Sequence, residues 1–461
     1  MRRLLLWVLW AAPVAAQTPL LLSDILDVVE KNYPPLLATF AERDIADADI
    51  LQALGRFDFV MAAQTDSDRF GFYPNQRATM GFDQAFSTLG ASAYGGWRTG
   101  TGSFAPYAGA LDTRSLGEWR GGVRVPLLRN REIDDRRGNL QKARIGKRIA
   151  DLTIDQQRLI IRQFAARRYW DWAAAGQRLR VAQDILRVAQ ERDQALREAS
   201  DLGQIPAIEV TENQRQILQR RSLLVEAERG IQQAAIDLSL FYRDGSGRPR
   251  LASNAQLPPQ LPETETLTDA QVEQDTPTAL ERRPEIERLT QQKEQTRVDI
   301  RMAANERKPA VDLSLGFTAE GGAGAVSRGP NELKASLRFE LPFQRRAATG
   351  RLLSAEARFN QTAQRELFAR NQVEAEVQDA ASAVRAAHNR ATLAKDEVKV
   401  ALELADAERE RFRLGDSTLF TVNLREQAAV DAEFRQVSAV NDYLRAFTVY
   451  EQVTARLLST P

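Results

Sequence analysis

Between Arg351 and Thr460 the chain carries one glycine, Gly415, and no proline. Proline breaks a helix because it lacks an N–H and clashes with the preceding turn; glycine weakens one through backbone entropy. A run of this length without either is constrained to be helix, and its lone glycine marks the point where the helix reverses. The apolar residues agree: Leu352, Phe359, Ala363, Val373, Val377, Ala380, Val384, Val398, Ala405 and Phe412 form a stripe rich in alanine, which lets neighbouring helices approach closely. The remaining faces are Arg, Glu, Gln and Asp, which suits a wall wetted on one or both sides. The spacing predicts a helix over residues 351–414, on the order of 95 Å long, and a second over 421–458. At the turn RFRLGDSTLF (residues 411–420), Gly415 takes the positive φ past the first helix and Ser417 or Thr418 caps the second. Helices this long point to coiled-coil packing.

The pattern occurs twice. DLGQIPAIEVTENQ (201–214) parallels RLGDSTLFTVNLRE (413–426), with Gly203 and Gly415 lying 212 residues apart. VRVPLLRNRE (123–132) parallels LRFELPFQRR (337–346), Pro126 and Pro342 each closing an alternating run, and NYPPLLA (32–38) sits like RRPEIER (282–288). A period covering half the chain indicates internal duplication. The first repeat spans 17–243 and the second 276–461, and a Pro-rich connector over 244–275 is pinned along the surface. Each half reads helix, strands, helix, turn, helix.

In the second half, residues 279–306 read as a helix, with Pro284 in its first turn and Pro309 as its stop. VDLSLGFTA (311–319) and LKASLRFEL (333–341) alternate apolar and polar residues with period two, giving one hairpin over 311–341 around the loop GGAGAVSRGPN. Its polar face would carry Asp312, Ser314, Lys334, Arg338 and Glu340, which would line the inside of a barrel built from such hairpins. In the first half, strands fall within about 57–125: FDFVMAAQT (57–65) and WRGGVRV (119–125) alternate, and ATMGFDQAF (78–86) and ASAYGGWRTG (91–100) are possible extra strands. Trp97, Trp119, Tyr94, Tyr107, Phe70 and Phe72 cluster here, as members of an aromatic girdle or as packing.

The N-terminus MRRLLLWVLWAAPVAAQ has a charged start, a short apolar core and small residues before Gln17, so residues 1–16 read as a secretory signal peptide. Removing it takes two arginines and leaves a formal net charge of −1, with no basic excess for nucleic acid. The absence of cysteine excludes disulfides, thiolate metal sites and lipid attachment at an N-terminal Cys. No later run of about 18 apolar residues offers a membrane helix, so a membrane location would require a closed β-barrel. Two hairpins in one chain cannot close a barrel, but several copies can, which argues for a ring-shaped homo-oligomer.

No catalytic constellation is evident. His388 is the sole histidine and lies mid-helix; Asp66, Asp68, Asp134 and Asp135 lack the rest of a calcium loop, and the Gly-rich loops lack the Lys-Ser/Thr of a phosphate loop. Trp170 and Trp172 read as helix packing. No enzyme activity, cofactor or metal is expected.

The duplicated order, the R-P at 283–284, the Pro-ended strands and the L-G turns followed by an apolar-x-x-V pattern resemble the TolC-like outer membrane efflux protein (OEP) family over nearly all the mature chain. The resemblance implies a mainly α fold with a small β part. Long coiled-coil helices would form a periplasmic α-barrel continuous with a transmembrane β-barrel completed by trimerisation, usually from four strands per chain, twelve in all. It implies a passive exit duct of a tripartite efflux or type I secretion system. The partners would be outer-membrane lipid, a periplasmic adaptor (membrane fusion protein) and an inner-membrane pump of the RND or ABC type. The adaptor would dock at the tips, on Gly203, Ile205, Gly415, Thr418 and Leu419. Some family members carry an acidic ring six and nine residues after the second tip glycine. Here those positions are Thr421 and Leu424, whereas the same offsets from Gly203 give Glu209 and Glu212 as entrance residues. The alternatives are an exported coiled-coil scaffold or adhesin without a pore, and a periplasmic enzyme.

Overall fold

The computed structural model describes residues 18–108, 111–324 and 331–458; the signal sequence assigned to 1–16 lies outside them. In chain order the elements are α1 (Leu22–Asn32), α2 (Pro34–Leu54), β1 (Val60–Asp68), β2 (Asn75–Ala85), β3 (Ser92–Gly102), β4 (Glu118–Pro126), α3 (Asp135–Asp201), α4 (Ala207–Ser239), α5 (Asp269–Arg282), α6 (Pro284–Glu306), β5 (Ala310–Glu320), β6 (Asn331–Glu340), α7 (Arg346–Arg413) and α8 (Leu419–Val453). Among the described residues, no helix is long and apolar enough to cross a membrane. Two compact units result. One takes the described residues up to Thr39, Ile154–Arg283 and those from Asn371 onward; the other takes Phe40–Thr153 and Pro284–Arg370.

The first unit is helical. Its helices pair through small residues: Ala189 of α3 packs with Leu186 and Ile217, and Ala391 and Ala394 of α7 pack with Ala439 of α8. The stripe read from α7 is buried at Val373, Val377, Ala380, Val384 and Ala405. Trp172, fully buried in α3, lies beside Tyr169 at 6.0 Å between ring centres. The Pro-rich connector is tied down along these helices: Arg180 donates to the Pro258 carbonyl at 2.9 Å, Arg385 to Leu267 at 3.0 Å, and the Glu265 backbone exchanges bonds with the Tyr443 hydroxyl at 3.0 Å. His388 meets Thr264 at 3.1 Å. Gly176 leaves room for the connector: a Cβ there would come within 2.3 Å of the Leu257 side chain, which would have to shift.

The second unit holds one antiparallel sheet in the order β1-β2-β3-β4-β5-β6. The hairpin read at 311–341 forms, with Leu313 opposite Leu337 and Leu315 opposite Ala335. The sheet has six strands where the family resemblance implied four, because the alternating stretches at 78–86 and 91–100 pair with each other and join the ladder as β2 and β3. Beside the sheet, Lys142 binds Asp299 at 2.9 Å and Arg43 binds Asp151 at 2.6 Å, while Asn130 and Asn305 exchange two hydrogen bonds of 2.9 Å.

Three expectations shift. The helix read over 279–306 is two helices, α5 and α6. A residue before proline is pushed out of the α region, and Arg283 is extended (φ −66°, ψ 118°), so Pro284 opens a new helix. The strand read from 57 begins at Val60, after a 3₁₀ turn at Gly55–Phe57. The last helix stops at Val453, short of 458, where Ala455 adopts φ 57°.

Among the described residues the buried Trp172 indole N–H has no hydrogen-bond partner. Trp172→Ala should therefore cost about 3–5 kcal/mol through the cavity it leaves. Trp172→Phe, which loses no hydrogen bond, should cost well under half of that. Denaturant midpoints of the two variants against the parent check this; equal losses would contradict it.

Candidate functional site: helical hairpin tips and a two-faced sheet

The first unit contains two matching tips. After α3, Gly203 has φ 71°, its N–H donates to Ser200 O at 2.9 Å, and Gln204 N–H reaches Ala199 O at 2.9 Å. After α7, Gly415 has φ 80°, with Gly415 N–H to Phe412 O at 3.0 Å and Asp416 N–H to Arg411 O at 2.9 Å. Both are the double-bonded glycine termination that satisfies the last carbonyls of a helix. Thr418 caps α8, accepting from Thr421 N–H at 3.3 Å.

Gly203, Gly415 and Thr418 are exposed and Ile205 is half-buried. Leu419 is different: it is fully buried and packs inside the tip, so it offers no side chain to a partner. Helical periodicity turns the next residue outward, and Phe420 is exposed there, as are Leu202 and Leu414 beside the glycines. Phe420 lines a cleft of about 270 Å³ with Ile208, Glu209, Thr211, Glu212 and Arg215. Glu209 and Glu212 thus share one cleft, but not one environment. Arg215 clamps Glu212 with bonds of 2.7 and 3.0 Å and holds its carboxyl below the usual range.

Behind the tips lies a group that the sequence reading missed. Glu426 of α8 is 1 % exposed and meets three guanidiniums: Arg192 of α3, Arg220 of α4 at 2.6 Å and Arg409 of α7 at 2.8 Å. One carboxylate thereby ties all four long helices. Arg192 also donates to Asn423 at 3.1 Å, and Arg220 to the Ile185 carbonyl at 3.1 Å. Burial alone would raise the Glu426 carboxyl; the three guanidiniums outweigh it and hold it below the usual range. The signal was present in the sequence: Glu426 stands four residues from Val422 and from Val430, both buried, on the apolar side of α8.

In the second unit the register gathers most of the large apolar side chains of all six strands on one face, Val60 opposite Asp83 being an exception. Met61 and Ala63 of β1 align with Phe82 and Met80 of β2, then with Gly95 and Trp97 of β3, and Trp97 stands opposite Trp119 of β4. Val123 and Trp119 continue to Leu315 and Ala319 of β5, and Leu315 to Ala335 of β6. The other face carries the charge. Asp312 stands opposite Arg338, Ser314 opposite Ser336 and Gly316 opposite Lys334, with Glu340 bonded to Arg338 at 3.4 Å. All five predicted lining residues therefore share this polar face. It continues through Arg98 and Glu118, joined at 2.9 Å, and Arg124 and Asp83, joined at 3.2 Å, with Arg124 lying 4.8 Å over the Tyr94 ring. Of the aromatics singled out earlier, Trp97 and Trp119 belong to the apolar face and Tyr94 to the polar one; Phe70, Phe72 and Tyr107 are exposed outside the strands.

The outer membrane efflux protein family profile matches residues 63–241 and 276–452. Solved structures share the fold across nearly the whole chain. The Vibrio cholerae outer membrane protein VceC is 16% identical, with a TM-score of 0.63, covering 94% of this chain and 95% of its own. For the Campylobacter jejuni CmeC outer membrane channel the values are 13%, 0.61, 94% and 85%, and for the open state of the Neisseria gonorrhoeae MtrE outer membrane channel 16%, 0.63, 94% and 88%. No curated protein sequence matches the chain. The fold is that of a TolC-like channel subunit, mainly α with a small antiparallel sheet. The chain belongs to the outer membrane efflux protein family.

Removing one partner of a buried ion pair leaves the others uncompensated, at a cost of about 3–5 kcal/mol. Glu426→Gln should lower local stability by that amount, read as faster amide hydrogen exchange in α3, α4, α7 and α8 near the node. Because the folded carboxyl is held low, its contribution is complete above the ordinary value of 4.5 and is lost as the pH falls through the depressed folded value. Parent and variant should differ at pH 7 and converge in acid. A difference independent of pH would contradict an ionic role.

Proposed function

We propose that the chain is the outer-membrane exit duct of a tripartite efflux system. Three copies form a β-barrel in the outer membrane and a helical barrel in the periplasm. Substrates pass through passively, and the driving energy belongs to an inner-membrane pump reached through a periplasmic adaptor. One observation carries this reading: a six-stranded sheet with one apolar face, one charged face and two open edges. An apolar face suits lipid, a charged face suits a water-filled lumen, and open edges call for further copies. A coiled-coil scaffold has no use for such a sheet. The family's description favours efflux over type I secretion.

In this reading the tips receive the adaptor, through the exposed Leu202, Leu414 and Phe420 beside Gly203, Gly415, Ile205 and Thr418. Glu209 and Glu212, repeated in each copy, supply the charge of the periplasmic entrance. Arg215 compensates Glu212 within its own chain, whereas Glu209 has no ion-pair partner among the described residues, so the unbalanced charge rests there.

Purified protein in planar bilayers should give discrete conductance steps with cation preference. Glu209→Gln should weaken that preference more than Glu212→Gln. Steps whose selectivity neither substitution changes would remove the entrance ring; protein that inserts into bilayers without any conductance would overturn the duct.

A further inference from the structure

Strands β2 and β3 are the part of the sheet that four strands per chain leave unexplained. They are not an appendage. Each has 11 residues, as long as β5, and within the 9–11 residues that cross an outer membrane as a tilted strand. They lie between β1 and β4, so β1 reaches the rest of the sheet only through them. Their side chains continue both faces in register: Phe82 and Met80 with Trp97 on the apolar side, Arg77, Asp83 and Arg98 on the polar side.

The edges are open. Among the described residues β1 and β6 each pair on one side only, and every residue of β6 is exposed, including Leu333, Leu337 and Phe339. All five pairings are antiparallel, so β1 and β6 run in opposite directions. Copies related by rotation about the membrane normal therefore present β6 antiparallel to the next copy's β1, which continues an up-and-down sheet without a break.

We propose that three copies close a barrel of eighteen strands, β6 of each laddered to β1 of the next, with β2 and β3 inside the barrel wall. This rests on the trimeric duct. Barrel diameter grows nearly linearly with strand number: at 4.8 Å strand spacing and 40° tilt, eighteen strands give about 36 Å between backbone centres, against about 24 Å for twelve. The lumen cross-section is roughly doubled, and the segment that widens it is the β2–β3 hairpin.

The chain has no cysteine, so introduced pairs report cleanly. Met61→Cys, Ala63→Cys or Thr65→Cys in β1, each combined with Leu333→Cys, Ala335→Cys or Leu337→Cys in β6, places both thiols on the apolar face. Facing antiparallel positions bring Cβ atoms to about 4.5–5.5 Å, so one register of the nine pairs should cross-link into covalent dimers and trimers. Ala62→Cys and Gln64→Cys, on the opposite face, should not. The same trimers imaged by electron cryo-microscopy in lipid nanodiscs should show eighteen strands. Trimers with no β1–β6 cross-links, or with twelve strands and the β2–β3 hairpin outside the wall, would overturn the proposal while leaving the duct intact. Monomers throughout would overturn both.

Discussion

A β-strand edge cannot face lipid. Each unpaired N–H and C=O in the hydrocarbon costs several kcal/mol, and β1 and β6 together leave two full rows of them. That penalty, set against an apolar face that needs lipid, constrains the second unit more than any contact inside it. In the proposed duct another copy supplies the missing ladder. The charged face satisfies the same logic from the other side: Arg124 pairs with Asp83 across it with both side chains exposed, leaving a surface that water can wet.

The helical unit solves a different problem. Long helices with wet faces have little apolar area to bury, so they pack through alanine at Ala189, Ala391, Ala394 and Ala439. Small contacts of this kind hold helices close without fixing their longitudinal register. Glu426 supplies the register. A carboxylate that must meet guanidiniums from three other helices allows little sliding, and a buried charge left without them is costly. Its position behind the tips places this constraint where two helical hairpins end and where an entrance would need a defined shape.

Much of this was legible in the residues, for identifiable reasons. Gly203 and Gly415 are isolated breakers in long helical runs, and positive φ is a requirement that one residue states by itself. The alternation of 311–319 and 333–341 fixed which residues share a face, and Asp312, Ser314, Lys334, Arg338 and Glu340 do share one. Less legible was whatever depends on contacts distant in sequence. Alternation alone could not say that the stretches at 78–86 and 91–100 enter the main ladder; the β1–β2 and β3–β4 pairings decide that. Leu419 read as a tip residue because it follows the turn, yet its place on the helix turns it inward. Glu426 sits among apolar residues on α8, which sets it apart, but the three arginines that meet it lie on three other helices, and the sequence does not bring them together.

In the proposed duct three copies of this chain form one membrane-embedded object. The direct test is the absolute mass of the protein extracted from outer membranes, measured by light scattering with the detergent contribution subtracted. The account predicts three copies carrying a detergent belt. A detergent-free monomer or dimer would contradict it.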